Sequence, residues 1–269
     1  MSGILETITG IAATALNQVT AQAFTPNSPN TFAVRSATGQ RDALLLSAWA
    51  NTAADAGVRV RSARLHDSQQ GINMRALAGN AEPILTAGLK QGLYSQDVLT
   101  VEVTPDAAGA AATHGVALQV FYPDLLGGSS AQFRSWAEVE PNIVNVYGQQ
   151  VAPVSAAAVG LWGAAAVINT LYDQFKAGKK YALLGYVTSV MGVAFGILGA
   201  DTGNYLVGGP MTTDAKQTRD YFIDLSEKNG IPLIPIISAD NKLATTVQVA
   251  TLVAATAAPI SLIFAELSA

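Results

Sequence analysis

A displaced self-similarity limits what this chain can fold into more than any single motif does. Sliding the sequence by 139 positions lays Asn30 to Leu45, NTFAVRSATGQRDALL, on Asn169 to Leu184, NTLYDQFKAGKKYALL. The identities are Asn30/Asn169, Thr31/Thr170, Gly39/Gly178, Ala43/Ala182, Leu44/Leu183 and Leu45/Leu184, and the same offset places Gly57 on Gly196. With small gaps, Glu82-Pro83-Ile84-Leu85 lies on Ile231-Pro232-Leu233-Ile234, and residues 116–125 lie on 258–267. A single duplication with units this long predicts two similar domains in tandem and not a solenoid. A chain of 269 residues has room for both.

Inside each unit the apolar residues come in short runs cut by turn residues. Leu99, Val101 and Val103 alternate with Thr100, Glu102 and Thr104, and Val58 and Val60 alternate with Arg59 and Arg61. That is the pattern of strands with one buried face, and six to eight of them with turns every 8 to 12 residues predict an antiparallel sandwich, the jelly roll being a common form. The expected fold is all-β: two tandem antiparallel jelly-roll sandwiches, with an N-terminal amphipathic helix, a connecting helix and one inserted helix. The N-terminal helix is read from Ile4, Ile8, Ile11, Leu16 and Val19 at roughly helical spacing before FTPNSPN. The connecting helix is read from SAAAVGLWGAAAVIN (155–169), with a capping box at Ser135 and Glu138 and an interruption at Pro141 ahead of it. The inserted helix is TTDAKQTRDYFIDLSEKNG (212–230), capped by Thr213 and ended by Gly230. The resulting division is an N-terminal arm (1–25), a first sandwich (26–126), a linker with helices (127–168) and a second sandwich (169–269).

Tyr181–Ala200 and Thr245–Ala265 are long enough and free enough of charge to pass for membrane spans. The repeat argues against it, because Tyr181–Ala200 aligns on Asp42–Arg61, which carries Asp42, Asp55, Arg59 and Arg61. Duplicated units should share a fold.

The search for chemistry returns little. The chain has two histidines and no cysteine, so neither a thiolate metal site nor the histidine-rich centre of cupin sandwiches can be built. His66 lies in a polar turn and His114 at the end of an Ala-rich loop, neither with an evident partner. Asp97 and Glu102 are five apart, so on a strand they face opposite ways. GNYLVGGP (203–210) lacks the phosphate-loop pattern, and Trp49, Trp136 and Trp162 are too scattered for a stacking platform. Catalytic residues, metal ligands and cofactors are all expected to be none, and the protein is not expected to be an enzyme. Arg59, Arg61 and Arg64 form the one basic stripe; Arg59 and Arg61 share a strand face suited to contact with an acidic neighbouring subunit, a phosphate or only water.

Composition points to partners. Charged residues make up 13%, against about 25% in an average soluble chain. Two separate domains would be hard to cover with so few charges, so some surface should be buried against other subunits. Net charge is −4, which gives no footprint for sequence-specific nucleic-acid binding. Lack of cysteine fits an intracellular origin, and MSGILETITG has no basic stretch that would make a signal peptide. Residues 1–34 hold Glu6 as their only charge. An arm bearing Ile4, Leu5, Ile8, Ile11, Leu16 and Val19 is suited to lipid, a neighbouring subunit or its own sandwich.

Tandem sandwiches of similar size, an apolar arm, sparse charge and an absence of convergent polar groups together resemble the double jelly-roll major capsid proteins of tailless, internal-membrane-containing viruses of bacteria and archaea. The resemblance is architectural and runs from the arm to Leu267. It implies a homotrimer forming a tile with six similar corners, packed with neighbouring capsomers and with vertex or minor capsid proteins into an icosahedral shell. It also implies an internal lipid membrane beneath the shell, reached through the N-terminal arm, and a place in the virion after assembly in the host cytoplasm. The short loops depart from the pattern, leaving outward contacts to other proteins, and the insertion at 212–230 would reduce six-fold to three-fold symmetry. The competing class is a two-domain β-sandwich binding protein, a lectin or fibre-like module. That class calls for an aromatic or Asp/Asn cluster in apical loops, whereas these loops are rich in Ala, Gly and Ser.

Overall fold

The computed structural model describes residues 3–35, 42–52, 54–62, 71–76, 91–106, 111–123, 132–169 and 172–268. The first half contributes β1 (Gly3–Thr14), β2 (Gln22–Ala23), β3 (Thr25–Pro26), β4 (Ala43–Thr52), β5 (Ala56–Arg61), β6 (Ile72–Ala76), β7 (Gln91–Leu93), β8 (Thr100–Pro105) and β9 (Ala112–Pro123). The second contributes β10 (Phe133–Arg134), β11 (Ile143–Val151), β12 (Ala166–Val167), β13 (Lys180–Thr188), β14 (Ala194–Leu198), β15 (Val207–Pro210), β16 (Ile234–Ser238), β17 (Thr246–Ala250) and β18 (Ile260–Leu267). Three short helices accompany them: α1 (Trp136–Val139), α2 (Ala215–Thr218) and α3 (Tyr221–Asn229).

The sheet order identifies both units. One pair of sheets runs β3-β1-β9-β4-β7 and β2-β8-β5-β6; the other runs β11-β18-β13-β16-β10 and β12-β17-β14-β15. Setting aside the short edge strands β3 and β10, each unit has eight strands in the order 1-8-3-6 in one sheet and 2-7-4-5 in the other, all pairs antiparallel. That is the jelly roll, and the two halves have it in common.

The repeat needs one correction. Both third strands carry a bulge where the partner register slips: between Leu45 and Ser47 on β4, and between Leu183 and Gly185 on β13. The bulges pair Leu46 with Leu184 as equivalents, so the true offset there is one less than the 139 that sequence identity suggests. A slip of one residue exchanges the faces of a strand, which makes the difference material. By the same register, Val116 corresponds to Ile260, two residues beyond the alignment in the sequence, which keeps the face unchanged.

Gly3–Thr14, expected to be an amphipathic helix, is the longest strand of the first sandwich together with β9, to which it pairs along its whole length. Its β-branched residues, Ile4, Thr7, Ile8, Thr9, Ile11 and Thr14, favour the strand. Its alternation is hidden because both faces are buried, so apolar residues appear at every spacing. Ahead of the expected connecting helix, the short helix read from the capping box forms as the single turn of α1. Ser135 and Glu138 act there as expected, the Ser135 amide donating to the Glu138 carboxylate at 2.8 Å. Residues 155–169 are not helical: their backbone is tied instead to 245–257, with Ser155 N–H donating to Thr256 O and Ile168 N–H to Thr245 O. The insertion is two helices. Asp214 caps α2, accepting from the Lys216 amide at 3.0 Å, in place of Thr213. Gly230, at φ 59°, ends α3 in the left-handed region that glycine enters without strain. Neither candidate span is a helix: Tyr181–Ala200 holds β13 and β14, and Thr245–Ala265 holds β17 and most of β18. Among the described residues no helix is long and apolar enough to cross a membrane.

Candidate functional site

No group of three or more His, Asp or Glu side chains converges as a metal site among the described residues. Buried polar side chains converge between the two sandwiches. On β1, β4 and β9 the residues turned away from the first core are Leu5, Thr7, Ser47, Trp49, Asn51, Ala117, Gln119 and Phe121, all at most 2% exposed. The second unit covers them. The Trp49 indole donates to Val193 O at 2.6 Å and Asn51 Nδ2 to Gly192 O at 2.9 Å. Gln119 Nε2 donates to Gly208 O, and Gln119 Oε1 accepts from the Tyr221 hydroxyl at 2.7 Å. Thr7 accepts from the Gly208 amide at 3.0 Å through its hydroxyl, and its own amide donates to Leu206 O at 2.7 Å. Burial pushes the Tyr221 phenol well above its usual range, with the neighbouring Ser47 and Gln119 side chains pulling the other way. These bonds satisfy groups that a separate first domain would show to water, so the units form one block.

An ion pair closes the rim. Arg35 meets Glu6 through two bonds, Nε to Oε2 at 2.8 Å and NH2 to Oε1 at 2.6 Å, and its guanidinium lies 4.5 Å from the centre of the Tyr205 ring in the second unit. The hydrogen bonding of Arg35 to the Glu6 carboxylate is the main cause holding the Arg35 pKa above its usual value. The one charge among the first 34 residues is thus paired with the first basic residue of the chain.

The sequence-selected residues divide sharply. Ile4, Leu5 and Ile8 are 1%, 0% and 2% exposed, so they face the protein's own interior and present nothing to lipid or to a neighbour. Ile11 is half-buried against Gly160, while Leu16 and Val19 stand in the open turn after β1. Arg59 and Arg61 share the outer face of β5, and both bind Glu102, at 2.9 and 2.8 Å. Burial opposes ionisation of Glu102, but the two arginine hydrogen bonds outweigh it and hold the carboxyl below its usual range. Arg64 and His66 lie outside the described residues. His114 is buried, its Nε2 2.9 Å from Thr14 Oγ1, and burial lowers its pKa.

Sequence reasoning passed over β11. The register sets Val146, Gly148 and Gln150, opposite Ala265, Ile263 and Ser261, in the places that Leu5, Thr7 and Thr9 hold opposite Phe121, Gln119 and Ala117. In the first unit this face is sealed; in the second, Val146, Gly148 and Gln150 are exposed and Ser261 and Ile263 half-exposed. The signal lay in charge. Residues 141–172 and 243–265 contain no Asp, Glu, Lys or Arg, and jelly-roll pairing of β11 with β18 and β12 with β17 joins them into one uncharged flank.

Together these features define a class: a rigid tandem of jelly rolls with one sealed and one open copy of the same face. No family model matches the chain, and no relative among curated proteins does. Among solved structures the chain is similar to the PBSX exported protein XepA, at 10% identity and a TM-score of 0.27, over 95% of this chain and 86% of that one. Likeness at that level says nothing of what this chain does.

Proposed function

We propose that the chain is a structural protein of a virus, the major capsid protein of an icosahedral shell, with three copies of the two-sandwich block forming a pseudo-hexameric tile. The observation that supports this most is the pair of identical strand orders locked face to face through buried hydrogen bonds. A chain built this way is a stiff double block, which suits tiling better than ligand capture between movable domains. Its low charge and uncharged flank suit burial against like subunits and neighbouring capsomers. Its place is then the virion, after assembly in the host cytoplasm, with vertex or minor capsid proteins as further partners. An inner lipid membrane, if the shell has one, is met by surfaces other than Ile4, Leu5 and Ile8, which the first sandwich encloses.

The test is particle mass. Light scattering and negative-stain microscopy of the purified chain should show trimers, and closed or sheet-like assemblies as concentration rises. A monodisperse monomer at micromolar concentration overturns the reading.

A further inference from the structure

We infer that the open outer face of the second unit's five-stranded sheet, made by Val146, Gly148 and Gln150 of β11 with Ser261 and Ile263 of β18, is the docking surface for a second copy of this chain. The inference rests on the assembly reading above and names the face that carries it.

The first argument is internal precedent. The equivalent face of the first unit has Leu5, Thr7 and Thr9 at 0% exposure where the second unit has an exposed valine, glycine and glutamine. What covers it there is a jelly roll of this same chain. In the second unit the chain's own α2 fills the part of this face at the bulge, Gly185 lying against Arg219, and the β11–β18 half of the same strand order is left for a body of the same kind.

The second argument is the strand edge. The far edge of β1 is closed by β3, through Gly10–Pro26 and Ile11–Thr25, and by the carbonyl of Leu206. β11 ends its sheet, with no strand beyond it among the described residues, and carries Val144 at 62% and Val146 at 48% exposure. Charge and proline, the commonest means of blunting an open edge, are absent from Ile143–Val151, whose only protection among the described residues is the irregularity at Val144 and the bond from Gln174 Nε2 to Gly148 O at 3.0 Å. An apolar, uncharged edge is a surface that something covers.

The third argument is continuity and chemistry. Beyond β11 the chain runs through 152–165 into contacts with the first unit: Gly160 against Ile11, and the Trp162 indole donating to Asn30 Oδ1 at 2.9 Å. The segment that leads out of the open face therefore takes part in the interface already formed within the chain. The open face offers no charge to attract a nucleic acid, an anionic lipid or a charged peptide, and the uncharged complement it calls for is abundant on the chain itself.

The experiment uses the full chain. Val146→Lys combined with Ile263→Lys should weaken self-association about tenfold or more by light scattering, since each lysine would be desolvated in the contact, while thermal melting stays near that of the parent. Val98→Lys, at an exposed position in the first unit, is the control and should assemble normally. In the unaltered chain, hydrogen exchange should show the amides of residues 146–150 slowing as assembly proceeds. If the parent assembles while the double variant does so equally well, or those amides gain no protection, this face is wrong and the assembly reading survives. If the parent stays monomeric, both fall. Should the double variant misfold, the exchange experiment decides alone.

Discussion

β1 and β11 hold the same place in the same fold and live in different surroundings. Each opens its jelly roll, pairs with the last strand and presents one side to its own core and the other outward. The outward side of β1 is dry, hydrogen-bonded and buried; that of β11 meets solvent. Topology therefore does not decide which face of a sheet is core. The neighbour does, and in this chain the neighbour of the first sandwich is its own duplicate.

The largest effect should come from removing the strand that the comparison makes central. Deleting residues 1–24 takes β1 out of the middle of a sheet, with Ile4, Leu5 and Ile8, and should abolish cooperative folding of the first unit, seen as loss of its melting transition. An unchanged melt would mean β1 is a detachable arm after all. Next is Trp49, whose equivalent by register is Val187. Trp49→Ala leaves a cavity at the interface and strands the Val193 carbonyl, for about 3–5 kcal/mol, whereas Val187→Ala on the half-open face should cost less than about 1 kcal/mol. Leu5→Ala and Val146→Ala repeat the contrast at about 2–5 kcal/mol against about 0.5 kcal/mol or less in the unassembled chain. Denaturant titration of each pair measures it, and equal losses within a pair would dissolve the distinction between sealed and open faces.

How far the sequence spoke follows from the same comparison. The duplication and the all-β class were legible because turns and apolar runs recur at matched distances, and strands such as β5, with one solvated face, alternate cleanly. β1 was misread because burial on both sides erases alternation, leaving Ile4, Ile8 and Ile11 to imitate a helical period. The interface was hidden for a related reason: Thr7, Asn51 and Gln119 are polar, so they read as solvent-facing when they are bonded to another domain. Their partners are mostly backbone groups of glycine, which leave no pattern. At the bulges the identity of Leu45 with Leu184 was misleading, since the matching registers of the two strands make Leu46 the equivalent of Leu184. The uncharged flank was written in the sequence, but in two stretches that only the pairing of first with last strands brings together.

A smaller effect should come from the rim. Glu6→Gln keeps the size of the side chain but removes the charge that Arg35 is held by, and should cost about 1–3 kcal/mol, because Glu6 is buried although Arg35 is partly exposed. The expected signature is that Glu6→Gln and Tyr205→Leu are not additive, since both act on Arg35. Additive losses in a double-mutant cycle would show that the stack on Tyr205 and the ion pair are independent.

The smallest effect is a pH dependence confined to one unit. His114 is buried, and burial lowers its pKa from the ordinary value of 6.5, so the folded chain keeps it neutral where the unfolded chain would take up a proton. The unfolded state then binds more protons as pH falls through 6.5, and stability must decline in that direction and level off below the folded pKa. Glu102, Glu138 and Asp173 are held below their ordinary values too, but their contributions are lost only at pH below about 4.5, so the two windows separate. The register equivalent of His114 in the second unit is Ala258, which titrates nothing. Between pH 7.5 and 5 the fall in stability should therefore vanish in His114→Gln, which keeps a group able to bond Thr14. A slope that persists in His114→Gln would place the titrating group elsewhere and remove this difference between the two sandwiches.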